Sequence, residues 1–537
     1  MSSFFEAFQD CVRHIPRAPA VIHPAAAPAV TTYAELLDLV HGYAAELAAC
    51  APRSRLVPIF AGKSAQTIAL SIACLASGRP FAWLSKRLRA PQIAAIARAA
   101  SAESIVADAT GLTVLREAID GDPLLSKLLW LGVADGTRGS HERALAQAVG
   151  QLSSSVTVQV LGSDGSSYAP ELEGIGASML GCCLFTSGST GGQKGVMIAE
   201  GDLTNRGLSE ASWYNLRAGD RLLSLLPFSF DVGLNQMMSA LLASVAIVIC
   251  ESWLPRDLDK IVAEQEIAGI SAVPAIWRDW LAGGLRFDRA RRHHALRYIT
   301  VSGGSLSVEE QDRLQAVAPG VGVFKTYGQT ETFRSTSLRP EEIETRPSSV
   351  GRAYPGTQVF VLNDAGAICA PGEVGEIVHS GLGTMLGYLG DASNAGKLRA
   401  IQFGRESKLA VFTGDYGYLD NTGYLYLKGR RDAMVKILGN RVYPEEAADQ
   451  LRNLQGIREV EVVAAKSAYG EAELLGFVVC RDGTTLTPEL IRRAAAQRLP
   501  AHMVPARIVV LKEIPRLSNG KPDRVALIER RATMHGV

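Results

Sequence analysis

Short apolar, β-branched runs alternate with longer Ala- and Leu-rich stretches through most of the chain. Leu56-Val57-Pro58-Ile59-Phe60 reads as a buried strand, and Ser64 to Ser77 as the helix that follows it. Ala246-Ile247-Val248-Ile249-Cys250 repeats the pattern, with a helical period over Leu258 to Ala268 and then a second run, Gly269-Ile270-Ser271-Ala272-Val273. Strands separated by helices predict an α/β architecture of mostly parallel sheets with helical crossovers. From about Val350 the texture changes. Gly- and Pro-rich turns separate short strands such as Val359-Phe360-Val361-Leu362 and Gly375-Glu376-Ile377-Val378, which predicts a small, more antiparallel β subdomain. After Arg431 a compact α+β unit is expected, with strands near Val460 to Val463 and Leu475 to Val479. Its helices are expected near Pro444 to Leu454 and Pro488 to Leu499.

The longest apolar run, Met237 to Cys250, is interrupted by Ser239 and Ser244. It falls short of the roughly 20 residues a spanning helix needs, so it reads as a buried helix end running into a strand. Met1-Ser2-Ser3-Phe4-Phe5-Glu6 lacks the basic and apolar regions of a secretory leader. Hydrophobic residues at 47% and charged residues at 20% are ordinary for a soluble globular protein. At about 150 residues per domain, a chain this long predicts three to four structural units. Lys plus Arg is 55 and Asp plus Glu is 54, a net charge of +1. That balance gives no field to hold a nucleic acid or an anionic membrane, and neither is expected as a partner. The eight cysteines are scattered, with no CxxC and no Cys/His set at zinc spacing, as expected of a reduced cytoplasmic protein. His293 and His294, in the basic stretch Arg286 to Arg297, read as a solvated helix face.

The chemistry is most legible in Leu184-Phe185-Thr186-Ser187-Gly188-Ser189-Thr190-Gly191-Gly192-Gln193-Lys194-Gly195. An apolar strand runs into small and hydroxylated residues, then glycines, then a lysine. Glycines permit close backbone approach, so successive N–H groups can converge on phosphate oxygens while hydroxyls and Lys194 add donors and charge. Lys194 is followed by Gly195 and not by Ser or Thr, so this is not a Walker A loop.

With that loop come four further motifs in order: Tyr327-Gly328-Gln329-Thr330-Glu331, Phe412-Thr413-Gly414-Asp415, Gly429-Arg430-Arg431-Asp432 with Lys436 and Gly439, and Asn519-Gly520-Lys521-Pro522-Asp523-Arg524. Over nearly its whole length the chain resembles the adenylate-forming ligases, which include acyl-CoA synthetases, luciferases and peptide-synthetase adenylation domains. The resemblance implies two half-reactions. A carboxylate attacks the α-phosphate of ATP to give an acyl-adenylate and pyrophosphate, and an acceptor then displaces AMP. Two anions must meet, so Mg²⁺ and cationic side chains have to offset the charge. By resemblance the phosphates lie against Thr186, Ser187, Gly188, Ser189, Thr190, Gly191, Lys194 and Thr330, with Glu331 and Thr190 at the Mg²⁺. Tyr327 and Gly328 would meet the adenine, and the turn Gly303-Gly304-Ser305 would border both base and acyl pocket. Asp415, acceptor-only when ionised, suits the two ribose hydroxyls, with Arg430 beside it. Lys521 would bridge the carboxylate and the ribose-phosphate oxygens. On residue type alone Asp415 also suits a turn, Lys521 an exposed turn and Glu331 a helix start; the joint order of the motifs favours the site. The resemblance also divides the chain at a hinge, Asp432. It implies a core over 1–431, with the β subdomain at roughly 350–431, and a mobile domain over 432–537 that brings in Lys521 for adenylation and the Lys436 to Gly439 face for transfer.

Departures from the family pattern are Gln193 for a proline, Trp83 within Phe81-Ala82-Trp83-Leu84-Ser85 for another, and Glu200-Gly201-Asp202 where many CoA ligases have His-x-Asn. By resemblance the acid faces Phe230, Asp231, Val232, Asn235, Ala275, Val301, Gly303, Thr326, Arg334 and Ser335, whose small members leave room for a medium-sized, partly apolar acid. A buried Asp231 needs an ammonium, as in amino-acid-activating relatives, or donors such as Asn235, Ser302 or Arg334. LPFSFDVGLNQ and YGQTETFRS resemble stand-alone bacterial ligases of specialised pathways, among them exosortase-locus acyl-CoA ligases, prolyl carrier-protein ligases and coronafacate-type amide ligases. The expected acceptor is CoA or a free-standing carrier protein, with a free amino acid as the alternative. A non-catalytic ATP-binding module and a luciferase-like oxygenase are the remaining alternatives. Lys521→Ala is expected to abolish adenylate formation without unfolding the chain. Pyrophosphate exchange beside a thermal melt checks it, and retained exchange or a large loss of stability refutes it.

Overall fold

The computed structural model describes residues 3–533 apart from 26–28, 51–54, 134–139, 153–155, 162–177, 188–192, 251–253, 289–291, 391–395, 404–405, 432, 438–439, 467–471, 485 and 518–520. The apolar runs become strands buried on both faces, as parallel sheets covered by helices require. Pro19–Ile22, Ala246–Ile249, Arg221–Ser224, Gly269–Ala272, Tyr298–Val301 and Gly322–Tyr327 lie side by side and parallel. Val30–Thr32 closes one edge antiparallel, and Thr336–Leu338 with Arg352–Ala353 the other. A second sheet runs Leu180–Ser187, Phe81–Trp83, Val57–Phe60, Ser104–Ala107, Leu129–Gly132 and Val158–Val160, all parallel. Gln193–Ala199 and Gly387–Tyr388 are added antiparallel at its edge.

Helices Ala65–Ala76, Glu200–Trp213 and Asp231–Leu242 share one apolar cluster with residues of both sheets, among them Val57, Phe81, Leu184, Leu222 and Tyr298. They are the filling of a sandwich, which is why Ala65–Ala76 and Asp231–Leu242 are buried nearly all round. The run through Met237 is indeed a helix end entering a strand; Ser244, at φ +61°, makes the turn between them. The helix expected over Leu258 to Ala268 starts earlier, at Pro255, and ends at Glu264, because Glu266 takes a left-handed φ of +48°. His293 departs from its solvated-face reading. It is 2% exposed, its Nδ1 accepts from the Asp288 amide at 2.9 Å, and its ring meets Phe287 edge-on, while His294 stays in solvent.

Thr357–Leu362, Gly375–Gly381, Glu406–Leu419, Leu398–Phe403 and Leu425–Arg430 form the antiparallel β unit. Beyond it, Ile457–Lys466, Ala472–Cys480 and Arg507–Val510 make a small sheet flanked by helices Pro444–Arg452, Pro488–Ala496 and Arg524–Thr533. Among the described residues no helix is long and apolar enough to cross a membrane.

Glu200, one of the departures from the family pattern, turns inward. It is 3% exposed and accepts from the amide of Phe4 at 3.1 Å, tying the first helix, Phe4–His14, to the start of Glu200–Trp213. Burial, with Glu6 adding to it, raises its pKa to about 7 against the pull of that amide. The folded pKa lies above the unfolded one, so the stabilisation is complete below pH of about 4.5 and is lost as pH rises through about 7. Glu200→Gln, neutral throughout, is therefore expected to melt higher than the parent at pH 8. The gain is at most about 3 kcal/mol and closes toward pH 5; thermal melts across that range check it.

Candidate active site

Strands Tyr298–Val301 and Gly322–Tyr327 end side by side and release Ser302-Gly303-Gly304-Ser305 and Gly328-Gln329-Thr330-Glu331 at the same carboxyl edge, where open α/β sheets hold ligands. The second loop folds back tightly on itself. The Gln329 amide donates to Thr332 Oγ1 at 3.0 Å, and Thr332 N returns to Gln329 O at 2.9 Å. A Cβ on Gly328 would lie 1.9 Å from the Phe333 carbonyl oxygen, so only glycine fits there.

Asp415, 15% exposed at its side chain, is held by three neighbours. Its Oδ2 accepts from Tyr327 OH at 2.7 Å and Gln329 Nε2 at 2.6 Å, and Arg430 Nη1 is 3.4 Å from Oδ1. Burial first and Asp415 next push the Tyr327 phenol far above its ordinary range, so it remains a donor. Lys397 Nζ donates to Thr413 O at 2.6 Å and Gln329 Oε1 at 3.2 Å, and burial pulls its pKa down against the charges of Glu331, Asp415 and Glu376. Glu376 accepts from the Gly414 amide at 3.1 Å and faces Arg431 at 3.6 Å. Gln329, Lys397 and Glu376 escaped sequence reasoning. Gln329 occupies the variable place of its motif, and the other two meet the site only through the fold of the β unit.

Glu331 Oε1 accepts from Tyr388 OH at 2.6 Å, and Lys194 Nζ lies 5.4 Å from the centre of that tyrosine ring. Pairing of Gly387–Tyr388 with Val196 and Met197 brings the phosphate-loop strand and Glu331 together. The other Glu331 oxygen has no hydrogen bond among the described residues, and a hard carboxylate oxygen of this kind fits Mg²⁺. Thr186 pairs with Lys194 at the base of that loop. Gly188, Ser189, Thr190 and Gly191 lie outside the described residues, as do the side chains of Ser187 and Lys436 and the whole of Asp432 and Gly439.

On the acid side, Gly303 takes φ +78°, and a Cβ there would lie 3.6 Å from Val273 Cγ1 and 3.8 Å from the Phe230 ring. Asp231 begins the helix Asp231–Leu242, with Val232 and Asn235 in its first turns. The Val232 amide donates to Asp231 Oδ1 at 2.7 Å. Burial raises the Asp231 pKa; that amide and the charges of Lys521 and Arg334 oppose the rise, and Glu331 adds to it. Lys521, on an exposed turn of the C-terminal unit, is close enough for its charge to act on the Asp231 carboxylate. The donors expected for Asp231 serve others. Arg334 and Asn235 donate to Glu210, and the hydroxyls of Ser302 and Thr326 bond each other at 2.7 Å. Ser335 Oγ turns to Thr332 Oγ1, 3.1 Å away, Ala275 opens the helix Pro274–Ala282, and Val301 ends its strand buried. Trp83 packs edge-on against Phe228 at 5.2 Å.

Residues 8–389 match the family model described as AMP-binding enzyme, and residues 447–521 that of the AMP-binding enzyme C-terminal domain. Over 66% of the chain it is 31% identical to a plipastatin synthase of Bacillus subtilis, and this spans only 14% of that much longer protein. L-proline--[L-prolyl-carrier protein] ligase of Pseudomonas fluorescens is 30% identical over 68% of the chain and 71% of that protein. The crystal structure of ATP-bound MatB from Rhodopseudomonas palustris shares the fold, with a TM-score of 0.81 at 21% identity over 98% of both chains. With a family model matching most of its length, the chain belongs to the AMP-binding enzymes, the adenylate-forming ligases.

Proposed function

We propose that this chain activates a carboxylic acid with ATP, releasing pyrophosphate, and then passes the acyl group from the adenylate to a separate thiol acceptor, CoA or a carrier protein. The observation that carries the reading is a pair of fixed carboxylates: Asp415, held by Tyr327 and Gln329, and Glu331, held by Tyr388. Lys521, whose charge reaches Asp231, would supply the cation between the attacking carboxylate and the phosphate. Coulomb attraction there offsets the repulsion between the two anions, most strongly where water is excluded. Asp415, with one oxygen fixed by Tyr327 and Gln329, is oriented to accept from ribose hydroxyls. Glu331, steadied by Tyr388, and Thr190 would hold Mg²⁺, which when bound neutralises phosphate charge. Transfer to a thiol is supported by the resemblance through Lys436 and Gly439 and by the carrier-protein ligase among the relatives.

A substrate amine beside Asp231 is the second reading. It is favoured because Asn235 and Arg334 are committed to Glu210, and Ser302 to Thr326, so none of the expected donors serves the buried carboxylate, which accepts from the Val232 amide.

Pyrophosphate release with ATP, Mg²⁺ and a panel of carboxylic and amino acids tests the first step. Mass spectrometry after adding CoA, a carrier protein or amino acids tests the second. An acyl thioester is expected; an N-acyl amino acid formed without thiol would make the chain an amide ligase, and no pyrophosphate with any acid would overturn activation itself. Asp415→Asn is expected to raise the KM for ATP by about 10- to 100-fold, the loss of one hydrogen bond to a charged group. Steady-state pyrophosphate release checks it.

A further inference from the structure

Lys397 and Gln329 reach Asp415 from different parts of the fold. Gln329 stands in the loop after the core strand Gly322–Tyr327, and Lys397 directly before the strand Leu398–Phe403 of the β unit. The backbone of Lys397 is fixed, since its carbonyl accepts from the Phe412 amide at 2.8 Å and Leu398 pairs with Val411. The neighbouring strand Glu406–Leu419 then carries Thr413 and Asp415 past the ammonium. Lys397 Nζ donates to Thr413 O at 2.6 Å and to Gln329 Oε1 at 3.2 Å. The other end of the same amide, Gln329 Nε2, donates to Asp415 Oδ2 at 2.6 Å and to Thr413 O at 3.0 Å. A chain of donors runs from the ammonium, through a neutral amide, to the carboxylate.

A glutamine amide can be turned end for end, and its neighbours decide its sense. A lysine only donates and an ionised carboxylate only accepts, so both ends are dictated here: oxygen to Lys397, nitrogen to Asp415. The reversed amide would set Nε2 against the ammonium and Oε1 against two acceptors. Hydrogen bonds in such a chain polarise one another, so the lysine strengthens the bond that Gln329 makes to the carboxylate. Tyr327 OH adds a second donor to Oδ2 at 2.7 Å. That leaves Oδ1, with Arg430 Nη1 at 3.4 Å, as the oxygen with capacity for a ligand. We propose that Lys397 is a positioning residue for the nucleotide: acting through the Gln329 amide, it fixes the Asp415 carboxylate and so sets both the affinity for ATP and the preference for ribose over 2′-deoxyribose. This rests on the nucleotide half of the ligase reading. Without the lysine the amide is held at one end only and regains rotamer freedom, and the carboxylate turns with it.

Titration calorimetry of the full chain with ATP and with 2′-deoxy-ATP, Mg²⁺ present, tests this without any acid. The parent is expected to favour ATP by about 10- to 100-fold, the worth of a hydrogen bond to a charged group. Lys397→Met keeps the stem and removes only the charged end. It is expected to weaken ATP binding about 10-fold and 2′-deoxy-ATP binding far less, shrinking the preference accordingly. Gln329→Met is expected to do the same, and the double variant no more than either alone, because both interrupt one chain. A thermal melt reports folding, and Lys397→Ala is the second variant should Lys397→Met not fold. A parent that binds both nucleotides equally overturns the inference alone, as does a folded variant at either position that keeps the parent's preference. Losses at Lys397 and Gln329 that add overturn it too, since the lysine would then act on the nucleotide directly. Equal losses for both nucleotides mark a merely structural lysine and do the same. A parent that binds neither nucleotide overturns the ligase reading, and the inference with it.

Discussion

The guanidinium of Arg206, 1% exposed, ties together the three parts that build the site. Its Nη2 donates to the carbonyls of Thr332 at 2.6 Å and Leu382 at 2.5 Å, and its plane lies 4.8 Å from the Phe333 ring. One side chain on a core helix thus holds both the loop carrying Glu331 and the end of the strand Gly375–Gly381 in the β unit. The chain makes room for it: Gly383, at φ +88°, could not carry a Cβ, which would sit 1.3 Å from Nη2. Phe333 holds a left-handed φ of +54°, a conformation that persists only where its surroundings over-determine it. Burial lowers the Arg206 pKa to about 10, with Asp202 opposing, so the group stays charged at neutral pH.

That helix is a polar spine inside an apolar sandwich. Glu200, Arg206 and Glu210 all point inward, and each has a long-range partner: the Phe4 amide, the Thr332 and Leu382 carbonyls, and Arg334. Buried charge adds little net stability, since desolvation consumes most of the Coulomb gain, yet losing one partner is severe. Such pairs therefore favour one arrangement of elements over near alternatives. The Glu331 loop, the Asp415 strand and the acid pocket are fixed relative to each other by groups that have no other stable place to go.

Sequence reasoning recovered what local pattern carries. Strand and helix alternation predicted the sheets, because burial on both faces needs uninterrupted apolar runs, while the ordered motifs nominated Glu331, Asp415 and Lys521 as site candidates. It did not recover Arg206, Glu210, Lys397 or Tyr388. Arg206 and its acceptor at Thr332 are 126 residues apart, and Lys397 and Gln329 are 68 apart. An arginine or glutamate in an amphipathic stretch looks like a solvated face until the opposing sheet is in place. His293 shows the same limit. Its basic surroundings pointed outward, whereas a hydrogen bond from the Asp288 amide holds it against Phe287.

The C-terminal unit is joined to the rest by different means. Among the described residues no apolar cluster includes members of both: its own clusters contain only residues from Val435 onward. Across the junction stand polar contacts instead. Arg481 meets Glu309 at 3.1 Å, Lys428 meets Glu446 at 2.9 Å, and Arg452 Nη1 reaches Ser305 Oγ at 3.5 Å. Two rings, Tyr416 and Tyr443, also approach to 6.1 Å. Ion pairs near solvent contribute about 1 kcal/mol or less each and re-form elsewhere at little cost, whereas an apolar seam would have to be exposed to water on separation. The rotation that the resemblance implies for this unit demands a junction of that kind. In the proposed reaction the sandwich would hold nucleotide and acid in place, and the weaker junction would leave Lys521 free to withdraw after the first step.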